Sequence, residues 1–388
     1  MASRREFDIV IHGASGFTGQ LVAEYMAARH GASGLRWALS GRNADKLAKV
    51  RDAVGAPADT PILIADAADP ASLADLATRA KVVLTTVGPY QLYGEALVAA
   101  CAATGTDYAD LCGEPLWMRA MIDRHEDAAK PSGARICFSC GFDSIPFELG
   151  VVLLQRECLA RFGAPAPRVK GRVRAMKGGF SGGTAASLKE TMAQLGRDPA
   201  LIALLASPFA LTPGFTGPDQ PKDSVRFDEA TQSWATPFIM APINTKNVHR
   251  ANALLGHAWG ADFTYDELLL TGPGDAGEQA ARFMASAKLL GTENDPQPGE
   301  GPSKEERESG FYDVLMIGEM PDGRILRLGV KGRYDPGYGS TSRMLAETGM
   351  ALLDHPGPGG IWTPGALLGE ALAARLAANA EITFAVEE

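Results

Sequence analysis

The sequence predicts an α/β chain, with a doubly wound parallel sheet over residues 1–145 and a second, mixed α/β domain over residues 146–340. Three observations carry that prediction. Short β-branched and aromatic runs alternate with helix-length stretches through the first third, which is the spacing of parallel βαβ units. A glycine pattern, Gly13-Ala14-Ser15-Gly16-Phe17-Thr18-Gly19, stands between the first such run and the first such stretch. After about Gly141 the alternation gives way to a glycine-rich block and a hairpin signal.

Phe7–Ile11 opens the series as a strand and Gln20–His30 follows as a helix. Leu35–Leu39, Pro61–Ala65, Lys81–Val87, Thr106–Leu111 and Arg135–Ser139 read as the later strands. Asp45–Val54, Ser72–Arg79, Glu95–Ala103 and Leu116–Ala129 read as the helices between them. Ile145–Arg161 is expected to be a helix leading out of the first domain, Val169–Met176 a strand and Thr184–Leu195 a helix. Pro199–Leu211 is apolar on nearly every side and reads as a buried helix, or as a lip that admits a lipid chain. Thr212–Pro221 is rich in Gly and Pro, while Ser224–Thr236 and Asn244–Gly260 have no clean period. Asp295–Gly310 is polar and reads as a surface loop. Phe311–Met320 and Arg324–Tyr334 flank Pro321-Asp322-Gly323 as a hairpin. Thr341–His355 and Ala366–Asn379 read as helices before a terminal strand, Glu381–Val386.

Bulk composition narrows the class. The 388 residues are 46% hydrophobic and 21% charged, which suits a globular enzyme of about two domains. The net charge of -9 disfavours nucleic acid as a partner, because a phosphate backbone needs clustered Lys and Arg. No apolar run reaches the length of a membrane span, and Met1–Glu6 is a polar stub, so a cytoplasmic protein is expected. Cys101, Cys112, Cys137, Cys140 and Cys158 are then expected as reduced thiols.

The glycine pattern carries specific physics. Gly13 permits a tight turn, Gly16 lets the backbone approach a pyrophosphate, and Gly19 allows close helix–strand packing. The N–H groups and positive dipole end of the following helix face the phosphates. A Rossmann-type dinucleotide site over Gly13, Ala14, Ser15, Gly16, Phe17, Thr18 and Gly19 is the direct reading. After the second strand, Ser40-Gly41-Arg42-Asn43 replaces the acid that holds a ribose 2′-OH in NAD enzymes, and Lys46 lies one turn on. With no acid to repel a 2′-phosphate and a guanidinium to bind it, NADP(H) is the expected cofactor. Asp66 ends the third strand, where adenine is contacted, or lies in a helix N-cap region. Val87-Gly88-Pro89-Tyr90 ends the fourth strand and is expected beside the nicotinamide half, with the Tyr90 ring packed over the sheet or its hydroxyl acting in catalysis.

These blocks, taken in order, resemble the saccharopine dehydrogenase-like oxidoreductases, and within them the trans-acting enoyl reductases. The resemblance also rests on Tyr108–Glu114, Gly141–Pro146, Gly178–Thr184, Tyr334–Tyr338 and Gly360–Pro364, so it covers most of the chain. It implies an NADP-binding Rossmann domain, a mixed α/β domain that supplies the substrate face, a homodimer, and late helices (residues 341–379) packing back on the first domain. Two activities follow from it: reduction of a C=C bond on an enoyl thioester, free or carrier-bound, or of a C=N bond in a saccharopine-type imine. A non-catalytic NADP(H)-binding sensor or scaffold is the reading from another class.

Three groups are candidates for the chemistry. Tyr90 or Lys177 is expected to supply a proton, or water does so. Lys177 precedes Gly178–Thr184, a block read as a substrate-binding loop or as a tight turn required by packing. Asp143 orients substrate or binds an amine, or merely caps the helix from Ile145. Cys137-Phe138-Ser139-Cys140 has no second Cys/His pair at zinc spacing, so no metal site is expected. His12 is expected to be packed, and His249 and Arg250 to lie on a solvated loop. No G-x-S-x-G elbow is present, which disfavours serine hydrolysis.

Overall fold

A computed structural model describes residues 5–179, 181–287, 296–297 and 299–388. The strands in chain order are β1 (Phe7–His12), β2 (Trp37–Gly41), β3 (Ile62–Ile64), β4 (Ala80–Thr85), β5 (Asp107–Ala109), β6 (Arg135–Cys137) and β7 (Arg168–Lys177). They continue with β8 (Arg226–Asp228), β9 (Ser233–Pro237), β10 (Thr264–Gly272), β11 (Phe311–Glu319), β12 (Ile325–Arg333), β13 (Gly360–Trp362) and β14 (Ile382–Glu387).

The first sheet runs β13-β6-β5-β4-β1-β2-β3, and every pairing in it is parallel. Its strands are apolar and buried on both faces, as a sheet covered by helices on either side requires. The order reverses between β1 and β4, and that switch point is where an open α/β sheet holds its ligand. The second sheet runs β14-β12-β11-β7-β10-β9-β8; only β7 and β10 pair in parallel, so it is mixed. The helix Ile145–Phe162 joins the two sheets, with eleven residues buried and Gly150 against Val330 and Met316 of the second sheet.

Late chain returns to both sheets. Gly349 on the helix Thr341–Asp354 packs on Leu84 of β4, and Glu347 accepts hydrogen bonds from Tyr25 and, at its other oxygen, from Arg375. β13 adds an edge strand to the first sheet, where Ile361 N–H donates to Glu126. Sequence reading leaves Gly360–Trp362 without a strand, since three residues carry no period and only pairing with β6 defines them. Glu148 is buried, and its carboxylate accepts from Thr363 Oγ1, Gly365 N and Ala366 N, capping the helix Pro364–Asn379. Among the described residues no helix is long and apolar enough to cross a membrane.

Several expectations are overturned. Pro199–Leu211 is not a buried helix: its helical part, Leu201–Ala206, has no buried residue, and Phe209, Ala210 and Leu211 are buried in the turn beyond it. Ser224–Thr236 contains β8 and most of β9, which pair antiparallel with each other, while β9 also pairs with β10. His249 and Arg250 are not on a loop but buried in the helix Ala241–Leu254, where Arg250 donates to Leu211 O and Ile361 O. Asp295 and residue 298 of the expected surface loop lie outside the described residues, while Lys304–Ser309 is a short helix with a Ser303/Glu306 capping box.

Candidate active site

The dinucleotide loop follows β1 as expected. Gly13 adopts φ +85, and a Cβ there would lie 2.7 Å from the Val87 side chain after β4. Gly13 N and Ala14 N donate to Ser40 O, and Gly16 N donates to Gly13 O, which fixes the turn. A Cβ on Gly19 would stand 2.1 Å from Gly13 O, so only glycine lets the helix Phe17–His30 approach the loop this closely. That helix starts at Gly16 with no side-chain cap, leaving its first-turn N–H groups for a ligand. Gly19→Ala is accordingly expected to weaken NADPH binding about 10- to 100-fold, the range of an overpacked contact. Fluorescence titration checks this, and unchanged affinity would dismiss the loop as the pyrophosphate site.

Beside the loop, Ser15, Gly16, Arg42, Asn43 and Lys46 line a polar hollow of about 410 Å³. Arg42 and Lys46 are both exposed there, and Asn43 caps the helix Ala44–Ala53 by accepting from Lys46 N. Two cations, a hydroxyl and a helix N-terminus suit a phosphate ester. Ser40 does not reach this hollow: it is fully buried and its hydroxyl meets His12 Nδ1, so it acts through its carbonyl. Gly41 lies behind the hollow, a Cβ there falling 3.7 Å from Ser15 Oγ. Asp66 is placed in a local turn, accepting from Ala68 N, and does not line the hollow.

A second cleft of about 400 Å³ opens along the carboxyl ends of β4, β5 and β6 and is closed by chain after residue 180. Its first-domain wall includes Thr18, Thr86, Gly88, Tyr90, Gly113, Glu114 and Asp143. Across it stand Ser181, Thr184, Ser187, Leu188, Tyr338 and Thr341. The Phe17 ring packs edge-on against Tyr338 at 5.3 Å, so the dinucleotide loop and this cleft share a wall. Gly183 N donates to Ser181 Oγ, starting the helix Gly182–Arg197, two residues earlier than the sequence suggests. Phe180 lies outside the described residues.

The candidate catalytic residues separate here. Asp143 lines the cleft, and among the described residues the only group that hydrogen-bonds its carboxyl is its own backbone. Burial pushes its pKa up to about 7. It is not a helix cap, since the cap position of Ile145–Phe162 is Ser144. A Cβ on Gly113 would fall 2.8 Å from Asp143 Oδ2, so glycine there makes room for the carboxyl. Lys177 is not brought to the cleft: it is exposed at the end of β7 and donates to Ser309. Tyr90 lends its ring to the wall, but its hydroxyl is engaged, donating to Thr85 O at 3.2 Å and accepting from Leu111 N at 3.1 Å. Burial raises its pKa well above the usual phenol range, which further unsuits it as a proton donor. Tyr90→Phe is therefore expected to change kcat less than about twofold while costing about 1–3 kcal/mol of stability for the two backbone groups left unpaired. Steady-state rates together with denaturant unfolding check this. Val87 and Pro89 shape the turn, with Pro89 opening the short helix Tyr90–Tyr93.

Two further cleft residues escaped sequence reading. The Tyr338 hydroxyl accepts from Ser181 N and pairs with Thr184 Oγ1 at 3.0 Å, leaving its position fixed at the cleft. Glu114 is buried, accepting from Tyr90 N and Ser187 at one oxygen and from Gln91 N at the other. The only sequence signal for either was membership of a block carrying the family resemblance, because their partners lie up to 157 residues away.

Known proteins resemble this chain in sequence and fold. A profile of the saccharopine dehydrogenase NADP binding domain matches residues 9–137. The chain is 42% identical to a provisionally named trans-acting enoyl reductase of Mycobacterium tuberculosis, over 97% of each. It is 38% identical to the trans-acting enoyl reductase of Mycobacterium ulcerans, over 97% of this chain and 96% of that one. The apo saccharopine dehydrogenase (L-Glu forming) of Saccharomyces cerevisiae shares the fold, with a TM-score of 0.56 at 11% identity over 98% of this chain and 99% of that one.

Proposed function

Because the chain belongs to the trans-acting enoyl reductases of the saccharopine dehydrogenase-like family and is an NADP(H)-dependent oxidoreductase, we propose that it reduces the C=C bond of an enoyl thioester. The observation that carries this reading is the cleft itself. It adjoins the dinucleotide loop, holds the Asp143 carboxyl, which no other described residue hydrogen-bonds, and opens past Leu188, Leu205, Ile239 and Met240. Among the described residues its lining holds no cation to grip a free amino acid's carboxylate, whereas an acyl chain meets apolar side chains at its mouth. That mouth also suits an acyl group delivered on a carrier.

NADPH fits the residues present: Gly13, Gly16 and Gly19 leave room for the pyrophosphate, and Arg42 and Lys46 suit the ribose phosphate. When bound, it supplies the hydride that the β-carbon of the enoyl group takes up. The protein's own task is then to place the thioester, exclude water and deliver one proton. Asp143 is assigned as the acid, because its carboxyl is held near neutrality in a cleft where a carbanion or enolate must be protonated. Tyr338, anchored by Ser181 and Thr184, is assigned to orient the thioester carbonyl.

NADPH oxidation is measured with trans-2-dodecenoyl-CoA and, separately, with glutamate plus aminoadipate semialdehyde. Consumption in the first, with the saturated thioester seen by mass spectrometry, supports the reading. Turnover confined to the second replaces it with imine reduction, and NADPH binding without turnover of either favours a sensor.

A further inference from the structure

The helix Gly182–Arg197 covers the cleft, yet Gly182 is its one buried residue, and Leu188 and Met192 stand 38% and 61% exposed. A 16-residue helix with so little apolar burial takes its position from elsewhere. Besides the Tyr338 contacts at its N-terminus, a polar tie falls at its middle. Ser187 Oγ donates to Glu114 Oε1 at 2.7 Å, and Gln91 Nε2 donates to Thr191 Oγ1 at 3.2 Å and to Ser187 O at 3.4 Å. Glu114 meanwhile accepts from the backbone N–H of Tyr90 at 3.0 Å and of Gln91 at 2.8 Å. Those two residues continue the Gly88-Pro89 turn after β4.

We infer that Glu114 is a positioning residue whose one carboxylate fixes both walls of the cleft in register: the Gly88–Gln91 turn on the cofactor side and the Gly182–Arg197 helix on the substrate side. A carboxylate has about four acceptor sites, and three are filled here by donors from two separate parts of the fold. Capping the Tyr90–Tyr93 turn requires only the two backbone donors. The bond to Ser187, 73 residues away, has no role in that cap, and it is the shortest of the three. Burial raises the Glu114 pKa, and the Ser187 hydroxyl is the first group opposing that rise. Among the described residues no salt bridge involves Glu114.

The inference rests on the enoyl reading only for the choice of substrate, so its first test is independent of turnover. Hydrogen–deuterium exchange of the full chain is compared for Ser187→Ala, Glu114→Gln and Glu114→Ala. Ser187→Ala is expected to speed exchange over residues 182–197 about tenfold or more, the worth of a hydrogen bond to a charged group, and to leave residues 88–93 unchanged. Glu114→Ala is expected to speed both segments and to weaken NADPH binding. Glu114→Gln keeps two acceptor sites but sets an NH₂ against one donor, so it falls between. With trans-2-dodecenoyl-CoA, Ser187→Ala raises KM with kcat within about twofold, the split expected of lost substrate positioning. Unchanged exchange over residues 182–197 in Ser187→Ala overturns the inference and leaves Glu114 a simple turn cap. If Glu114→Ala fails to fold, Ser187→Ala alone decides. Faster exchange without any enoyl turnover keeps the positioning role and removes the enoyl substrate.

Discussion

Asp143→Asn is expected to lower kcat/KM for an enoyl thioester about 100- to 10,000-fold, the range for removing a general acid, while NADPH affinity stays within a few-fold. An amide of nearly the same size fills the space left by Gly113 but has no proton to give. The pH profile is the sharper signature. An acid must carry its proton to act, so with its pKa raised to about 7 by burial, wild-type kcat/KM is expected to hold below that pH. Above it, the rate falls about tenfold per unit as the carboxyl ionises. In Asp143→Asn the residual rate loses that limb. A wild-type profile that stays flat from pH 6 to pH 9, or a variant that keeps the limb, would assign the proton to another group.

The second large effect concerns cofactor choice. Arg42→Ala is expected to raise the NADPH Kd about 10- to 100-fold and leave NADH unchanged, because the charge-assisted bonds lost are made only to the 2′-phosphate. Lys46→Ala alone falls short of this, since an ammonium is a point charge where a guanidinium binds in a fork. The double variant is expected to bind the two cofactors alike. Raised salt should erode the wild-type preference as well, since both side chains are exposed and screened. Titration of intrinsic fluorescence with each cofactor settles the matter; equal affinities in the wild type would locate the phosphate contact elsewhere.

Much of the first domain could be read directly from the residues. A strand buried on both faces carries a continuous apolar run, and Ile9–Ile11 and Val82–Leu84 show it without help from context. Gly13, Gly16 and Gly19 are legible because backbone approach is a local demand that only one residue type meets. Arg42 and Lys46 are legible because a helix turn brings them together whatever the rest of the chain does. Side-chain pairing is different. Ser40 looks like a cofactor contact until His12 is found against it, and Tyr90 looks like an acid until Thr85 and Leu111 take both sides of its hydroxyl.

What the sequence by itself determined is thus the class of fold, the NADP(H) cofactor and Asp143 as one candidate among three, since each depends on residue type at short range. The tertiary structure alone decided which candidate meets the cleft. Lys177 ends a strand of the second sheet and Asp143 lies in the turn after β6 of the first, and only the packing of those sheets sends one lysine to solvent and leaves one carboxyl facing the cavity. Tyr338 and Glu114 were invisible for the same reason: a hydroxyl or carboxylate takes its role from donors that folding brings from far along the chain. No local pattern encodes such partners, because their cost and gain in free energy arise only once water has been removed from both.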